Sequence, residues 1–538
     1  MVIMVPILSA LLVFIFGAII GSPDAPFPQG DEIMHIRSIR ESLEMGSYLL
    51  PSLSGLPNPY KPPLLFWFGM TSDQIFGVGY VSERLVPLVF GFGSLYLLYR
   101  LAFLIRNARI EAAFTSILFG FSFLSLKFFS LMMMEGLMVF FVLFYFYHFY
   151  LYRITKRKVY LVVGSIVSGI GYLLKGPILH VYLSLFILSY FYVTVIRFRK
   201  GKLSFKWKQF LEDKFVVLSY GLTFIVPVFW ILFLYLYVPS GKELLRFFFI
   251  TENVGKFYSA NQPGIRIWFG WILYTIPFTI PLFQMLWNSV LKKNQTKQQI
   301  YVQTIFVFLI LVTSLHLLPN RKDPYYVTPF VSFLFLLPLF NRMSWKSYLL
   351  TKTNQYSILV VYFILMSIAI IVRLPYLFAV SLFVTVVVAG SLFLDQNKTK
   401  KFWVILLSQI TIIPILIFFL LRPMSDPNLP EQTSDAKREN ICVVAENPWT
   451  AMDVQNKLEE AKIQFSLPLT IKENCANSNY LINYTSTEVP NEYILVNSWY
   501  HWTQHLQMDL PTIFNSMMKM DLTKFKTKIS LWKRGVGN

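Results

Sequence analysis

Apolar residues along this chain gather into long unbroken runs, and polar residues into short loops between them. A run of about 18 to 22 apolar residues crosses a hydrocarbon core of ~30 Å as a helix, and helices satisfy their own backbone there. The pattern predicts spans at roughly 2–20, 80–105, 109–127, 131–152, 159–175, 177–196, 215–237, 267–288, 300–318, 324–340, 355–372, 375–394 and 402–421, thirteen in all. Two pairs are divided least sharply: 109–152 by "LKFFSLMMME", and 355–394 by "VRLPY" with Arg373 and Pro375.

Composition agrees, because 55% hydrophobic and 17% aromatic residues over 538 positions exclude an ordinary soluble globule. The fold class expected is an all-α polytopic membrane protein. Lys and Arg collect in alternate short loops, "RNAR", "RITKRK", "RFRKGKLSFKWKQFLEDK", "LKKNQTKQQ", "NRMSWKSYLLTKTN" and "DQNKTKK", which places these loops and the N-terminus in the cytoplasm. That asymmetry accounts for most of the formal charge of +20, so no nucleic-acid partner follows from it. The first run lacks a basic leading segment and a small-residue cleavage site, so it reads as a span and not a signal peptide.

Three stretches then fall outside the cytoplasm, at about 21–79, 238–266 and 422–538. The last opens with the linker "RPMSDPNLPEQTSDAKREN", which divides a membrane domain over 1–421 from an exported domain over 422–538. Strands are expected at "ICVVAEN", "YLINY", "EYILVN" and "KISLWKR", with a helix at "TAMDVQNKLEEAKI", giving a small α/β layer. The only two cysteines, Cys442 and Cys475, both lie there. An exported compartment favours a disulfide between them over two buried thiols.

The stretch "GDEIMHIR" begins the first outer loop after its apolar run. Ile33, Ile36, Ile39 and Leu43 recur at helical spacing up to Gly46, which predicts an amphipathic helix from Asp31 to Met45 lying on the outer membrane surface. Asp31 and Glu32 at its start cap the helix and meet its dipole favourably. The same placement keeps a carboxylate ionised, where it could take a proton from an attacking hydroxyl. "NPYKPPLLFWFG" then fixes Lys61 between an aromatic and two prolines at the head of a second amphipathic stretch. Such a cation either snorkels to the interface or holds a lipid-linked phosphate.

The second outer loop, "LLRFFFITENVGKFYSANQPGIRIWFGW", gathers Arg246, Glu252, Asn253, Lys256 and Arg266 among aromatics. These suit sugar and phosphate as well as any membrane interface. The outer turn "LPNRKDPYYVTPF" adds Arg321, Lys322, Tyr325 and Tyr326, with two cations on the side where cations are disfavoured. Glu135 in "MMMEGLMVFF" and Lys175 in "GYLLKGPILH" stand at outer ends of spans, where ionisable side chains are costly and default to function or to helix capping.

Together, the order of "DE" after the first span, "YKPP", an acid opening the fourth span, "LLKGP", "F-x-x-EN-x-x-(K/R)F" and "K-x-x-YY-x-x-P" resembles the GT-C polyprenyl-phosphate glycosyltransferases, which include the protein O-mannosyltransferases and the lipid A aminoarabinose transferases. The likeness covers the membrane domain, and the exported domain is similarly placed in the aminoarabinose branch. The resemblance implies about thirteen spans, two interfacial helices in the first outer loop, and transfer with inversion from a sugar on undecaprenyl or a related polyprenyl phosphate. The acceptor would be a hydroxyl or phosphate on lipid A, another envelope glycan, a lipid or an exported protein.

Carried onto this chain, the resemblance makes Asp31 the catalytic base, Glu32 its companion acid and Lys61 the cation on the donor phosphate. Lys256, where many relatives have Arg, Arg246 and Lys322 would join Lys61. Glu135, where relatives usually have Asp, would orient donor or acceptor with Lys175, Glu252, Asn253, Tyr325 and Tyr326. No cofactor is required, and some relatives bind a divalent cation near these acids. His501 and His505 in "YHWTQH" have the spacing of a helical metal pair without a third ligand nearby. No phosphate-cradling G-x-x-x-x-G-K-[ST] is present. A transporter or lipid flippase would need internal repeats and charges at mid-membrane, and a silent scaffold would leave Asp31 dispensable. With no retention signal evident, the expected location is the bacterial inner membrane.

Overall fold

A computed structural model describes residues 30–199, 202–291, 299–340, 343–393, 397–421 and, in the C-terminal region, 441–444, 452, 455–456, 459, 479–483, 489, 492–502, 519 and 526–535. The expected first span at 2–20 lies outside them. The chain is mostly helical. Among the described residues nine helices are long and apolar enough to cross a membrane, or ten if one bent pair is a single span. They are Tyr80–Arg106, Met134–Thr155, Lys158–Lys175, Ile178–Val195, Trp207–Tyr237, Gln299–Leu317, Lys352–Ile371, Pro375–Leu392 and Lys398–Phe419.

Three expected spans take a different local form. The run at 267–288 folds as Ile265–Thr275 and Thr279–Asn288, bent by 107°. Pro277 lacks an N–H to continue the ladder, and the Ile276 carbonyl accepts instead from Phe123 N at 2.7 Å. The run at 109–127 divides into Arg109–Gly120 and Phe123–Phe128, where Ser122 caps the second piece by accepting from Ser125 N. The run at 324–340 opens as a 3-10 turn, Pro324–Phe330, before its helix Val331–Phe340.

Both helices expected in the first outer loop are present, as Gly30–Glu44 and Leu64–Phe76. The first corrects the surface-lying expectation. Ile33, Ile36 and Ile39 are buried as its apolar face requires, but so are Glu32, His35, Arg37, Ser38, Arg40, Glu41 and Ser42 on its other sides. A helix polar on most faces stays buried only if those groups find partners, and here they do. Its apolar face packs on Leu65 and Phe66 of the second helix within the main core. The approach is close, since a Cβ at Gly69 would lie 2.9 Å from Ile39 Cγ1.

A tight hairpin joins the two helices, with Ser52–Leu53 antiparallel to Leu56–Pro57. Ser54 and Gly55 at its tip have φ of 55° and 74°, the left-handed pair a two-residue turn needs. Glu41 secures that tip by accepting from Ser54 N and Gly55 N at 2.9 and 2.7 Å.

In the C-terminal region four strands form one sheet, in the order Ile441–Val444, Tyr480–Asn483, Lys526–Arg534, Tyr493–Trp502. The first pair is parallel and the others antiparallel. The strand expected at "EYILVN" runs on through Trp502, which places His501 on a strand and not on a helix. His505 and Cys475 lie outside the described residues, as does most of the helix expected over 450–463; Cys442 is buried on the first strand.

Candidate functional site

The first outer helix and the Tyr80–Arg106 span are locked by reciprocal charges. Glu32 and Arg40 are eight residues apart and so share one helix side, and the first turn of the span supplies Glu83 and Arg84. Glu32 accepts from Arg84 Nε and Nη2 at 2.8 and 2.9 Å, and Arg40 donates to both Glu83 oxygens at 2.7 and 3.1 Å. Both guanidiniums lie over the Tyr80 ring, 5.1 and 5.2 Å from its centroid. Glu32 is therefore fully buried, with both oxygens engaged by Arg84.

Glu32 also accepts from Met132 N at 2.9 Å, while His35 bonds the Met132 carbonyl at 2.9 Å. The backbone of Met132 is thus held at both its N–H and its C=O by this helix. It belongs to the turn that leads into Met134–Thr155, whose first turn carries Glu135. The hairpin extends the same wiring to Lys61. Ser38 Oγ donates to the Ser52 carbonyl, Asn58 Nδ2 donates to Ser38 Oγ, and Tyr60 N donates to Asn58 Oδ1. Pro62 and Pro63 then fix the backbone after Lys61 as the second helix begins.

Asp31 stands at the head of this arrangement, and its carboxylate has no hydrogen bond or ion pair among the described residues. Burial alone would push its pKa up, but nearby positive charge led by Lys61, with Arg321 and Lys175 beyond, overrides it and holds the carboxyl below its ordinary value. His35, one turn on, is held below its usual range by burial. An ionised, unpaired carboxylate beside cations is a base ready to accept a proton.

Lys61 Nζ lies 2.5 Å from Glu252 Oε1, and Lys256 Nζ is 3.5 Å from the same oxygen. Glu252 and Asn253 end a π-helical turn, Phe247–Asn253, in which Asn253 Nδ2 donates to the Phe248 carbonyl at 2.6 Å. Burial followed by repulsion from Lys61 drops Lys256 to about 8, although Glu252 opposes the shift. Glu252 itself is lowered, because Lys61 and Lys256 outweigh its burial. Arg246 is exposed in the preceding short helix and joins no ion pair with this group among the described residues.

Glu135 pairs with Lys175, Nζ to Oε1 at 2.5 Å, and the ammonium also lies 5.6 and 5.8 Å from the Tyr325 and Tyr326 ring centroids. Lys175 closes its helix before Gly176, whose φ of 72° favours glycine and where a Cβ would strike the Phe248 ring. That contact seats the π-helical turn against the Lys175 turn.

The third turn commits its two cations differently. Lys322 is buried and gives its ammonium to Asn261 Oδ1 at 2.9 Å, while its N–H goes to Gln262 Oε1 at 2.7 Å, so it ties two loops together. Arg321 is near enough for its charge to help lower the pKa of Asp31, Glu252 and Lys256. Asp323 orients it, accepting from Arg321 Nε at 2.9 Å, from Tyr325 Oη at 3.1 Å and from Arg266 at 3.4 Å. Sequence order could suggest Arg84, Arg40, Glu83 and Asp323 only as charges; their partners lie far along the chain.

A cleft of about 500 Å³, counted with its open mouth, reaches this cluster. Tyr172, Trp230, Leu234, Leu244 and Phe248 are among its walls, and Lys61 is the one charged side chain among its described lining residues. The cleft is therefore mostly apolar, with one cation in its lining. Among the described residues no group of three or more His, Cys, Asp or Glu side chains is arranged to hold a metal ion, so no step is assigned to one.

Residues 60–236 match the family described as dolichyl-phosphate-mannose-protein mannosyltransferase. Among curated proteins, the undecaprenyl phosphate-alpha-4-amino-4-deoxy-L-arabinose arabinosyl transferase of Photorhabdus laumondii is 23% identical over 310 residues, covering 56% of this chain and 53% of its own length. An uncharacterized protein of Aquifex aeolicus is 23% identical over 308 residues, covering 56% of each. The chain spans about half the length of these curated relatives. The crystal structure of ArnT from Cupriavidus metallidurans bound to undecaprenyl phosphate shares the fold, with a TM-score of 0.66 at 13% identity over 97% of both chains. The likeness to GT-C polyprenyl-phosphate glycosyltransferases read from the motif order therefore stands on family, sequence and fold together.

Proposed function

We propose that this chain is an integral-membrane inverting glycosyltransferase, moving a sugar from a polyprenyl phosphate such as undecaprenyl phosphate to an envelope acceptor on the outer face of a bacterial inner membrane. The observation that carries the reading is the Asp31 carboxylate, without a partner among the described residues and in the field of Lys61, where Lys61 also lines an apolar cleft. The apolar walls of the cleft suit a prenyl chain, and Lys61 suits the phosphate. Lys61, Lys256 and Arg321 would hold that phosphate, with Arg246 at the rim. Glu135, Lys175, Tyr325 and Tyr326 would position the sugar or acceptor, and Glu252 and Asn253 would set the two lysines.

In the reaction, Asp31 accepts the proton of an acceptor oxygen as that oxygen bonds to the anomeric carbon from the face opposite the phosphate. The bond from that carbon to the phosphate oxygen breaks, and its electron pair leaves on the lipid phosphate. Stabilising that developing charge with Lys61, Lys256 and Arg321 is the main electrostatic contribution. Inversion follows from attack opposite the leaving group.

The same reading takes the membrane domain as thirteen crossings, with the N-terminus cytoplasmic and the C-terminal sheet part of an exported α/β domain joined by a bond between Cys442 and Cys475. Acceptors of the lipid A kind, other glycans and exported proteins all offer the required nucleophile. A transporter or flippase reading has no supporting observation, because the ionisable cluster gathers at the outer loops. The test is sugar transfer from a mixed pool of polyprenyl-phosphate sugars by membranes carrying wild type or Asp31→Asn at equal protein level. Transfer by wild type that the variant loses supports the reading, and equal transfer by both overturns the role of Asp31.

A further inference from the structure

The first outer helix is gripped from outside the membrane domain as well as from within it. Asn456 Nδ2 donates to the Ile33 carbonyl at 3.1 Å, two residues from Asp31. Glu459 Oε2 receives Arg37 Nη1 at 3.0 Å and Arg40 Nη1 at 3.3 Å, and the same Arg40 nitrogen donates to the Asn456 carbonyl at 3.0 Å. Asn456 is fully buried in this contact. The grip therefore runs from the first turn of the helix to its third.

Charge balance makes the contact more than packing. Arg37 and Arg40 are 2% and 1% exposed, and Arg84 is buried beside them. Glu32 answers Arg84, Glu83 answers Arg40, and Glu41 is committed to the hairpin tip. Arg37 is left with Glu459 and with Glu44, whose side chain is 43% exposed and correspondingly weak as a partner. Without Glu459 a buried guanidinium on this helix lacks a buried counter-charge, and the least costly remedy is for the helix to shift until Arg37 reaches water. Asp31 would move with it, because no contact among the described residues fixes its carboxylate independently.

We propose that Asn456 and Glu459 of the C-terminal region are positioning residues for Asp31, holding the helix that carries the base at the distance transfer requires. The proposal rests on the transfer reading for its effect on rate, and on geometry alone for its effect on the helix. A misplacement of about 1 Å at a reacting group can cost on the order of a hundredfold in rate.

The full-length protein serves for the test, as wild type, Asn456→Ala, Glu459→Gln and Glu459→Asp. Donors are undecaprenyl phosphate carrying 4-amino-4-deoxy-L-arabinose or mannose, and binding of undecaprenyl phosphate itself is measured separately. The expected result is a fall in kcat of about tenfold to a hundredfold for Asn456→Ala and Glu459→Gln, little change in KM or lipid-phosphate binding, and partial recovery in Glu459→Asp. Unchanged kcat, or loss of kcat and binding together, overturns the proposal.

A second arm needs no turnover. Asp31→Cys is made with and without Glu459→Gln, and its labelling by a charged methanethiosulfonate is followed against wild type as the blank for native cysteines. A several-fold change in labelling rate is expected, and equal rates overturn the proposal. If wild type transfers neither sugar, the outcome counts against the transfer reading, while the labelling still decides whether this segment holds the helix.

Discussion

Lys61 Nζ and Glu252 Oε1 stand 2.5 Å apart across 191 residues of chain, joining the proline-fixed end of the first outer loop to the π-helical turn of the second. Lys256 reaches the same carboxylate oxygen at 3.5 Å. One acid thus keeps two like-charged ammoniums close together, which is the geometry a lipid phosphate needs when it arrives with its own negative charge.

Lys256 titrates near 8, which makes phosphate binding depend on pH in an accessible range. A lysine that gains an anionic partner has its pKa raised on binding, so affinity is full while the free ammonium is protonated and declines as pH rises through about 8. The binding constant for undecaprenyl phosphate is expected to stay level between about pH 7 and 8 and to weaken by up to tenfold per unit above that. Lys256→Arg, charged throughout, should abolish the decline. Titration by intrinsic tryptophan fluorescence checks both.

Replacing Asp31 with Asn keeps size and removes the proton acceptor. A loss of about 10²- to 10⁴-fold in kcat is expected, with donor binding retained. Because Lys61 and the other nearby cations hold the folded pKa of Asp31 below its ordinary value, the base stays ionised as pH falls, and the acid limb of the wild-type rate should lie below the ordinary carboxylate range. An acid limb near neutrality in the pH profile would assign the base to another group.

Glu32 and Arg84 form a buried pair, so loss of one member removes the other's direct counter-charge. Glu32→Gln or Arg84→Met alone is expected to cost about 3–5 kcal/mol of stability. The double variant should lose clearly less than the two single losses added. Thermal unfolding of the purified protein in one detergent measures the cycle; strict additivity would mean that the two side chains do not depend on each other.

Arg321 and Lys322 are adjacent but differ in task. Arg321→Gln is expected to weaken undecaprenyl phosphate binding about tenfold, on the scale of a charge-assisted hydrogen bond, with unfolding temperature little changed. Lys322→Gln should do the reverse, because it frees Asn261 and loosens the contact between the second and third outer loops. Binding and thermal unfolding measured on both variants separate these outcomes.

Apolar runs located the helices, though nine or ten of them among the described residues, and not thirteen, are long and apolar enough to cross a membrane. Each expected span from 80–105 to 402–421 coincides with a helix or pair of helices, although the bend of 107° within 265–288 and the break at Ser122 were not legible. Those breaks depend on a neighbour satisfying the freed backbone groups, as the Phe123 N–H does by donating to the Ile276 carbonyl, and run length carries no trace of that. The candidate site was partly legible. Asp31, Lys61, Glu135, Lys175, Glu252 and Lys256 stood out as charges near membrane boundaries, where placement is costly enough to need a reason. Glu32 and Lys322 looked equivalent to them and proved to be committed to Arg84 and Asn261.

What the sequence determined by itself is what short-range energetics decide: which segments are apolar enough to be helices in lipid, where prolines and glycines stop them, and which loops carry charge. What the tertiary structure decided is which charge meets which. The pairings of Glu32 with Arg84, Arg40 with Glu83, Lys61 with Glu252 and Arg37 with Glu459 join positions 52, 43, 191 and 422 residues apart. An ion pair leaves no periodicity in the chain, since either partner is satisfied by any opposite charge that folding brings within reach. Only the packed helices reduce those alternatives to one, leaving Asp31 with positive charge around it and no partner among the described residues.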